Sequence, residues 1–167
     1  LQPTSLAVGG ARGVCMWRLV LDAQAGHATV TGAHLVRLLS HPAGAPVRSL
    51  SWCPLGGQLA SASPAHPAVL VWDTATGEHD TLWFRSGGGV AKLAWAPGAG
   101  AHLFAAGVNG PVRLWEAASW RWETLRSLPA PCTAACWSAD GSALLIVAAD
   151  SAAAVRCLHL RRAPPAI

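Results

Sequence analysis

The chain has 167 residues, enough for one or two domains with a sizeable core. Hydrophobic residues make up 52% and charged residues only 12%, which excludes disorder over most of the length. The net charge of +4 rests on dispersed arginines (Arg12, Arg18, Arg37, Arg48 and others) and the lone Lys92. Only Arg161 and Arg162 are adjacent, a pattern that argues against direct nucleic-acid binding, which clusters its cations or interleaves them with stacking aromatics.

In chain order, TSLAVGG (4–10) and RGVCMWRL (12–19) read as the last two strands of a unit already under way. Residues 20–33 follow, a Gly- and Ala-containing stretch expected to be an exposed inter-strand loop. HLVRLLS (34–40) is a predicted outer strand and HPAGAP turns the chain. VRSLSWC (47–53), GQLASAS (57–63) and AVLVWD (68–73) are three inner strands, the first two joined by a Pro-Leu-Gly-Gly hairpin. The next unit runs DTLWFR (80–85), VAKLAWA (90–96), HLFAA (102–106) and PVRLWE (111–116). The last runs WRWETLRS (120–127), TAACWSA (133–139), SALLIVA (142–148) and AVRCLHL (154–160). Gly or Pro cuts these runs every 8–12 residues, which suits strands and starves helices.

Two ladders share one period. Trp52, Trp95 and Trp137 are 43 and 42 residues apart, while Trp72, Trp115 and Leu158 are each separated by 43. A repeat of about 40–45 residues made of four short strands is the size of one propeller blade. The expectation is an all-β protein, an incomplete propeller arc of about three and a half four-stranded blades. Its parts are a partial blade with an inserted loop (1–33), blades at 34–78, 79–119 and 120–160, and a tail at 161–167. Starting at Leu1 in mid-repeat, the chain reads as a fragment of a longer one.

The residues then point to a family. W-D at 72–73, W-E at 115–116 and W-S-A-D-G-S at 137–142 resemble the WD repeat, whose polar turn aspartate normally bonds a histidine after the outer strand. Asn109-Gly110 and Asp150 stand at that turn, His41 is the matching histidine of its unit, and Ala65-His66 replaces the acid there. The phrases GVCMW (13–17), SHPAGAPVRSLSW (40–52), WFRSGGGV (83–90), RLWEAASW (113–120) and CWSADGSALL (136–145) resemble, more narrowly, a WD-repeat nucleoporin. That resemblance implies a non-catalytic scaffold at the nuclear pore complex and nuclear envelope. It also implies contacts with other nucleoporins, a transmembrane one among them, and a part in nucleocytoplasmic transport. The alternative is a WD adaptor of another assembly, such as a ubiquitin ligase substrate receptor.

Trp17, Trp52, Trp72, Trp95, Trp115 and Trp137 are expected in the blade core, because an indole at one phase in each unit packs between neighbouring sheets. Trp83, Phe84, Arg85, Trp120, Arg121 and Trp122 fall on outer strands and form the candidate partner surface, rich in interface residue types. Period two places Trp120 and Trp122 on one strand face and Arg121 on the other. Gly87-Gly88-Gly89 lacks the Lys-Ser/Thr of a phosphate loop and reads as an inter-blade turn. Cys132, Cys136, Cys157 and His159 lack the second ligand pair that a zinc site needs. No nucleophile elbow or paired acids suggest catalysis, and no cofactor is expected. Five cysteines without a staple pattern read as free thiols in a reducing compartment. The longest apolar run, residues 143–149, is too short for a bilayer span, and no membrane insertion is expected.

Overall fold

The structure is a computed structural model that describes residues 4–24, 27–84, 88–125, 128, 130–149 and 155–160. Among these residues there are four antiparallel sheets and no α-helix, so no helix is long and apolar enough to cross a membrane. The first sheet joins β1 (Thr4–Gly9), β2 (Gly13–Gln24) and β3 (His27–Ser40) in that order. The second joins β4 (Ser49–Trp52), β5 (Gln58–Ala62), β6 (Ala68–Asp73) and β7 (His79–Trp83). The third joins β8 (Val90–Trp95), β9 (His102–Gly107), β10 (Val112–Glu116) and β11 (Trp122–Leu125). The fourth joins β12 (Cys132–Trp137), β13 (Ala143–Ala148) and β14 (Val155–His159).

Three sequence expectations change. The strand that opens each sequence unit pairs with the sheet before it: β3 with β2, β7 with β6 and β11 with β10. Each unit bounded at 34, 79 or 120 therefore straddles two sheets, because a short hairpin turn lets the outer strand fold straight back on its predecessor. Residues 20–24 and 27–33, expected in a loop, belong instead to the paired strands β2 and β3, with Leu21 opposite Val30 and Asp22 opposite Thr29, while residues 25 and 26 lie outside the described residues. Cross-strand pairing of Val20, Leu21, Thr29 and Val30 outweighs the local Gly and Ala content, and Thr31 is the extra residue of a bulge, its hydroxyl donating to the Val20 carbonyl at 3.3 Å. The third change concerns Trp120, which precedes β11 rather than belonging to it.

Sheet register explains the ladders. Trp72 lies opposite Leu59, Trp115 opposite Leu103 and Leu158 opposite Leu144, while Trp17 lies opposite Leu6 in the first sheet. In the second, third and fourth sheets these residues face the preceding sheet, and in the first three sheets the alternate residues face the following one. Three buried clusters fill the three seams. Val14, Met16 and Leu39 meet Leu59, Leu70 and Trp72 in the first. Val69, Val71 and Leu82 meet Trp95, Leu103 and Trp115 in the second, and Phe104, Val112 and Leu114 meet Leu144 and Ile146 in the third. Trp72, Trp95 and Trp115 are buried, whereas Trp17, Trp52 and Trp137 are half-buried.

Polar clips cross the seams at equivalent positions. Ser49 and Ser51 Oγ accept the backbone N–H groups of Leu93 and Trp95 at 2.9 and 2.8 Å, joining the first strands of adjacent sheets. One seam further on, Ala94 and Cys136 stand where Ser51 stood, and the Trp137 indole donates to the Ala94 carbonyl at 3.0 Å instead. On the outer strands, Arg37 donates to the Thr76 and Ala75 carbonyls in the next sheet's turn. Asp80, at the register position of Arg37, accepts the Trp120 indole N–H at 3.2 Å. Gly89 carries the linker into β8 under the Ser63–Pro64 turn, where an added Cβ would overlap the Pro64 carbonyl. That contact, not a phosphate, accounts for the last glycine of the triplet. Gly87 lies outside the described residues.

His41 is buried in the first seam and sits 3.1 Å from Ser61 Oγ, which also accepts the Trp72 indole N–H at 2.8 Å. The acid expected opposite His41 is absent, with Ala65 in its place, and His41 Nδ1 has no hydrogen-bond partner among the described residues. Burial, with His66 and His79 adding to it, lowers the His41 pKa from 6.5 to about 4. The unfolded chain therefore binds a proton that the folded chain refuses, and stability drains as pH falls from about 6.5 to about 4.

Three outcomes are expected in urea denaturation. Ser61→Ala strands two buried polar atoms and costs about 2–4 kcal/mol. Gly89→Ala costs about 1–3 kcal/mol or more by overpacking. His41→Asn flattens the loss of stability between pH 6.5 and 4, and a slope parallel to the parent chain's would refute the assignment.

Candidate interaction surface

The six outer-strand residues separate into different environments. Trp83 ends β7 with 52% of its surface exposed, its ring tilted over His66 at 6.0 Å. Phe84 corrects the sequence expectation: it is 0% exposed and belongs to the second seam. Its N–H bonds the Pro67 carbonyl at 2.8 Å, which turns the side chain inward against Trp115 at 5.9 Å between ring centroids. That bond carries the β6–β7 pairing one step past Trp83, so period two places Leu82 and Phe84 in the seam and leaves Trp83 outside it. Arg85 lies outside the described residues.

Trp120 is in a tight turn, not on a strand. Its φ of 50° is in the left-handed region, and its N–H closes on the Glu116 carbonyl at 2.9 Å. Ser119 Oγ donates to Glu116 Oε2 at 2.6 Å and braces that turn. The Trp120 ring is half-buried, edge-on to Trp95 at 6.1 Å and tied to Asp80. The strained backbone at Trp120 is held by these ring contacts. Trp122 opens β11 with 50% exposure, while Arg121 is exposed beside it.

Sequence reasoning missed the residue that organises this surface. The Arg113 guanidinium lies between two rings, 4.1 Å from the Trp122 centroid and 5.0 Å from that of Phe84. It donates to the Trp83 carbonyl at 2.7 Å across the seam. A cation so placed gains from both ring faces and from a charge-assisted hydrogen bond. The signal was present in the sequence: Arg113 takes the register place that Leu70 fills, fully buried, in the sheet before. A charge inside an apolar inner strand needs built-in partners.

Beside this stack lies a groove of about 440 Å³, lined by Asp80, Leu82, Arg113, Trp115, Trp120 and Trp122. Beyond Trp122 a second groove of about 620 Å³ continues past Glu116, Arg121 and Glu123 to His159 on the fourth sheet. An exposed indole between two grooves flanked by both charge signs suits a protein segment bringing an apolar anchor and polar flanks. Among the described residues no three His, Cys, Asp or Glu side chains form a metal cluster. Cys132 is buried, which raises its thiol pKa, while Cys136 and Cys157 are exposed on strands flanking β13.

Four stacked antiparallel sheets with this register define an arc of a WD-type β-propeller. The fold is similar to that of a WD40 propeller chain in a crystal structure of the mitotic checkpoint complex, with a TM-score of 0.71 and 19% identity. The match covers 96% of this chain and 48% of the other, so the chain spans about half the length of that solved protein. No protein-family model matches the sequence.

Alanine replacements should separate seam from surface. Phe84→Ala is expected to cost about 3–5 kcal/mol of unfolding free energy. Trp122→Ala, at an exposed ring, is expected to cost about 1 kcal/mol or less, and equal losses in calorimetry would overturn the division.

Proposed function

We propose that this chain is part of a non-catalytic WD-repeat scaffold of the nuclear pore complex, of the kind represented by aladin. In this reading it lies at the nuclear envelope and supports nucleocytoplasmic transport by holding other nucleoporins, a transmembrane one among them. One observation carries the reading. The two phrases least generic for a blade, WFRSGGGV and WEAASW, meet at the seam between the second and third sheets, where Phe84 from one packs on Trp115 from the other. Arg113, two residues before Trp115, donates to the Trp83 carbonyl, and the groove beside it is walled by Trp83, Trp115 and Trp120. Residues distinctive in sequence thus build one exposed groove, where a binding function would concentrate them.

Direct nucleic-acid binding has no support in this groove, where Asp80, Glu116 and Glu123 balance the arginines. The second reading is an adaptor of another assembly, such as a ubiquitin ligase receptor. It would use the same groove with a different partner.

The test is the location of the full-length protein carrying a fluorescent tag, beside a Trp83→Ser/Trp122→Ser variant. The expected result is a nuclear rim that the variant loses while its melting temperature stays within a few degrees of the parent's. A rim kept by the variant rejects the groove as the docking surface. Diffuse parent protein that co-purifies ligase subunits rejects the nuclear pore reading in favour of the adaptor.

A further inference from the structure

The mouth of the second seam carries an uneven charge. Both sheets that form it have four strands, from β4 (Ser49–Trp52) to β11 (Trp122–Leu125). Register sets which side chains line it. Asp80 lies opposite Val71 and Leu82 opposite Val69; Val69, Val71 and Leu82 pack into this seam, so Asp80 projects toward the third sheet. The Asp73 N–H donates to the Glu78 carbonyl at 2.9 Å, which extends the β6–β7 pairing past Trp72 and His79. Two-residue steps then put Asp73 on the face of Val71 and Glu78 on the face of Asp80. These three carboxylates, with Gln58, Val71 and His79, line a groove of about 590 Å³ on the second sheet. Asp80 also lines the aromatic groove beside Trp120 and Trp122, so the two run together.

The cations nearby are already engaged. Arg113 is enclosed by two rings and bound to the Trp83 carbonyl. Arg37 reaches the turn after Asp73 from the first sheet, and its guanidinium donates to the Thr76 and Ala75 carbonyls. The His79 ring lies against Trp72 at 4.4 Å, and Arg121 lines the neighbouring groove. The acids keep their charge. Backbone N–H groups of Thr76 and Ala75 hold the Asp73 carboxyl below its ordinary range. Asp80 accepts the Trp120 indole N–H with one oxygen, and a carboxylate has room for several further donors. Toward the other end of β7 stand the exposed rings of Trp83 and Trp122.

We infer that this groove takes a basic, extended segment of a partner protein, an apolar side chain on the Trp83 and Trp122 rings and arginine or lysine on Asp80 and Glu78. The inference rests on the groove being the docking surface proposed above and adds the chemistry of its occupant. Charge complementarity selects that occupant. Three carboxylates on one wall attract a cationic segment and repel an acidic one or a phosphate backbone. Spacing agrees. Glu78 and Asp80 are two residues apart on one face, about 6.6 Å along a strand, the same step that separates like-facing side chains of an extended segment. Arg113 is an internal example of the chemistry, a guanidinium seated on Trp122.

Fluorescence anisotropy on the full-length protein tests it with three labelled peptides, GRSRSLSRSRG, GESESLSESEG and GRSRSSSRSRG. Each offers the same side-chain order to either chain direction. The first is expected to bind about 10-fold or more tighter than the second, with an affinity that falls as salt rises. A Glu78→Gln/Asp80→Asn variant, which keeps an acceptor for the Trp120 N–H, should weaken the first peptide about 10-fold at an unchanged melting temperature. The Trp83→Ser/Trp122→Ser variant should erase the advantage of the first peptide over the third. Equal binding of the acidic peptide, basic binding that ignores Glu78→Gln/Asp80→Asn, or no basic binding at millimolar peptide overturns the inference. If the nuclear rim is still lost in the tryptophan variant, those results remove only the basic occupant and leave the docking groove standing. A rim kept by that variant, beside charge-selective binding, supports the basic occupant while rejecting the groove as the site of pore docking.

Discussion

The whole arc depends on apolar sheet faces meeting across seams, each closed by an aromatic or leucine at a fixed register place. One hairpin sheet in water is marginal, because only one pair of strand edges is satisfied and both faces are wet. Stacking removes both faces of the middle sheets from water, which is why β5, β6, β9 and β10 are buried almost throughout. The seam is also a geometric ruler. Trp72 and Trp115 project from matching places 43 residues apart, so every sheet is set against its neighbour in the same orientation.

Polar groups refine the apolar packing rather than oppose it. Ser61 binds both His41 and Trp72, so the buried indole N–H is satisfied and the turn after β3 is tied to the second sheet. The missing acid leaves His41 half-satisfied and exposes the seam to acid. Arg113 is the other departure from apolar content, and its neighbours neutralise the cost with two rings and a carbonyl. That arrangement makes a rigid platform under Trp122. A partner binding there meets a ring already ordered, which lowers the entropy cost of docking.

Regular seams and an irregular groove have a common origin. The inner three strands of the second and third sheets are short, apolar and closely paired, and they obey period two. The outer strands have solvent on one edge, so their ends can leave the strand path, as at the Trp120 turn before β11. Residues at those ends are free of the ladder's constraint and can be arranged as a surface.

The repeat and the run of short antiparallel strands were legible in the amino-acid order, since a period of 43 and alternating polarity are local properties that any copy of the unit repeats. So was the concentration of tryptophan and arginine at 83–85 and 120–122. Tertiary structure alone decided the rest. It assigned each opening strand to the sheet before it, because hydrogen-bond partners across a turn are chosen by pairing rather than by repeat phase. It placed residues 20–24 and 27–33 in paired strands through contacts that no single stretch encodes. It buried Phe84 and set Arg113 between rings because those side chains come from units 29 residues apart, and only folding brings them to the same seam.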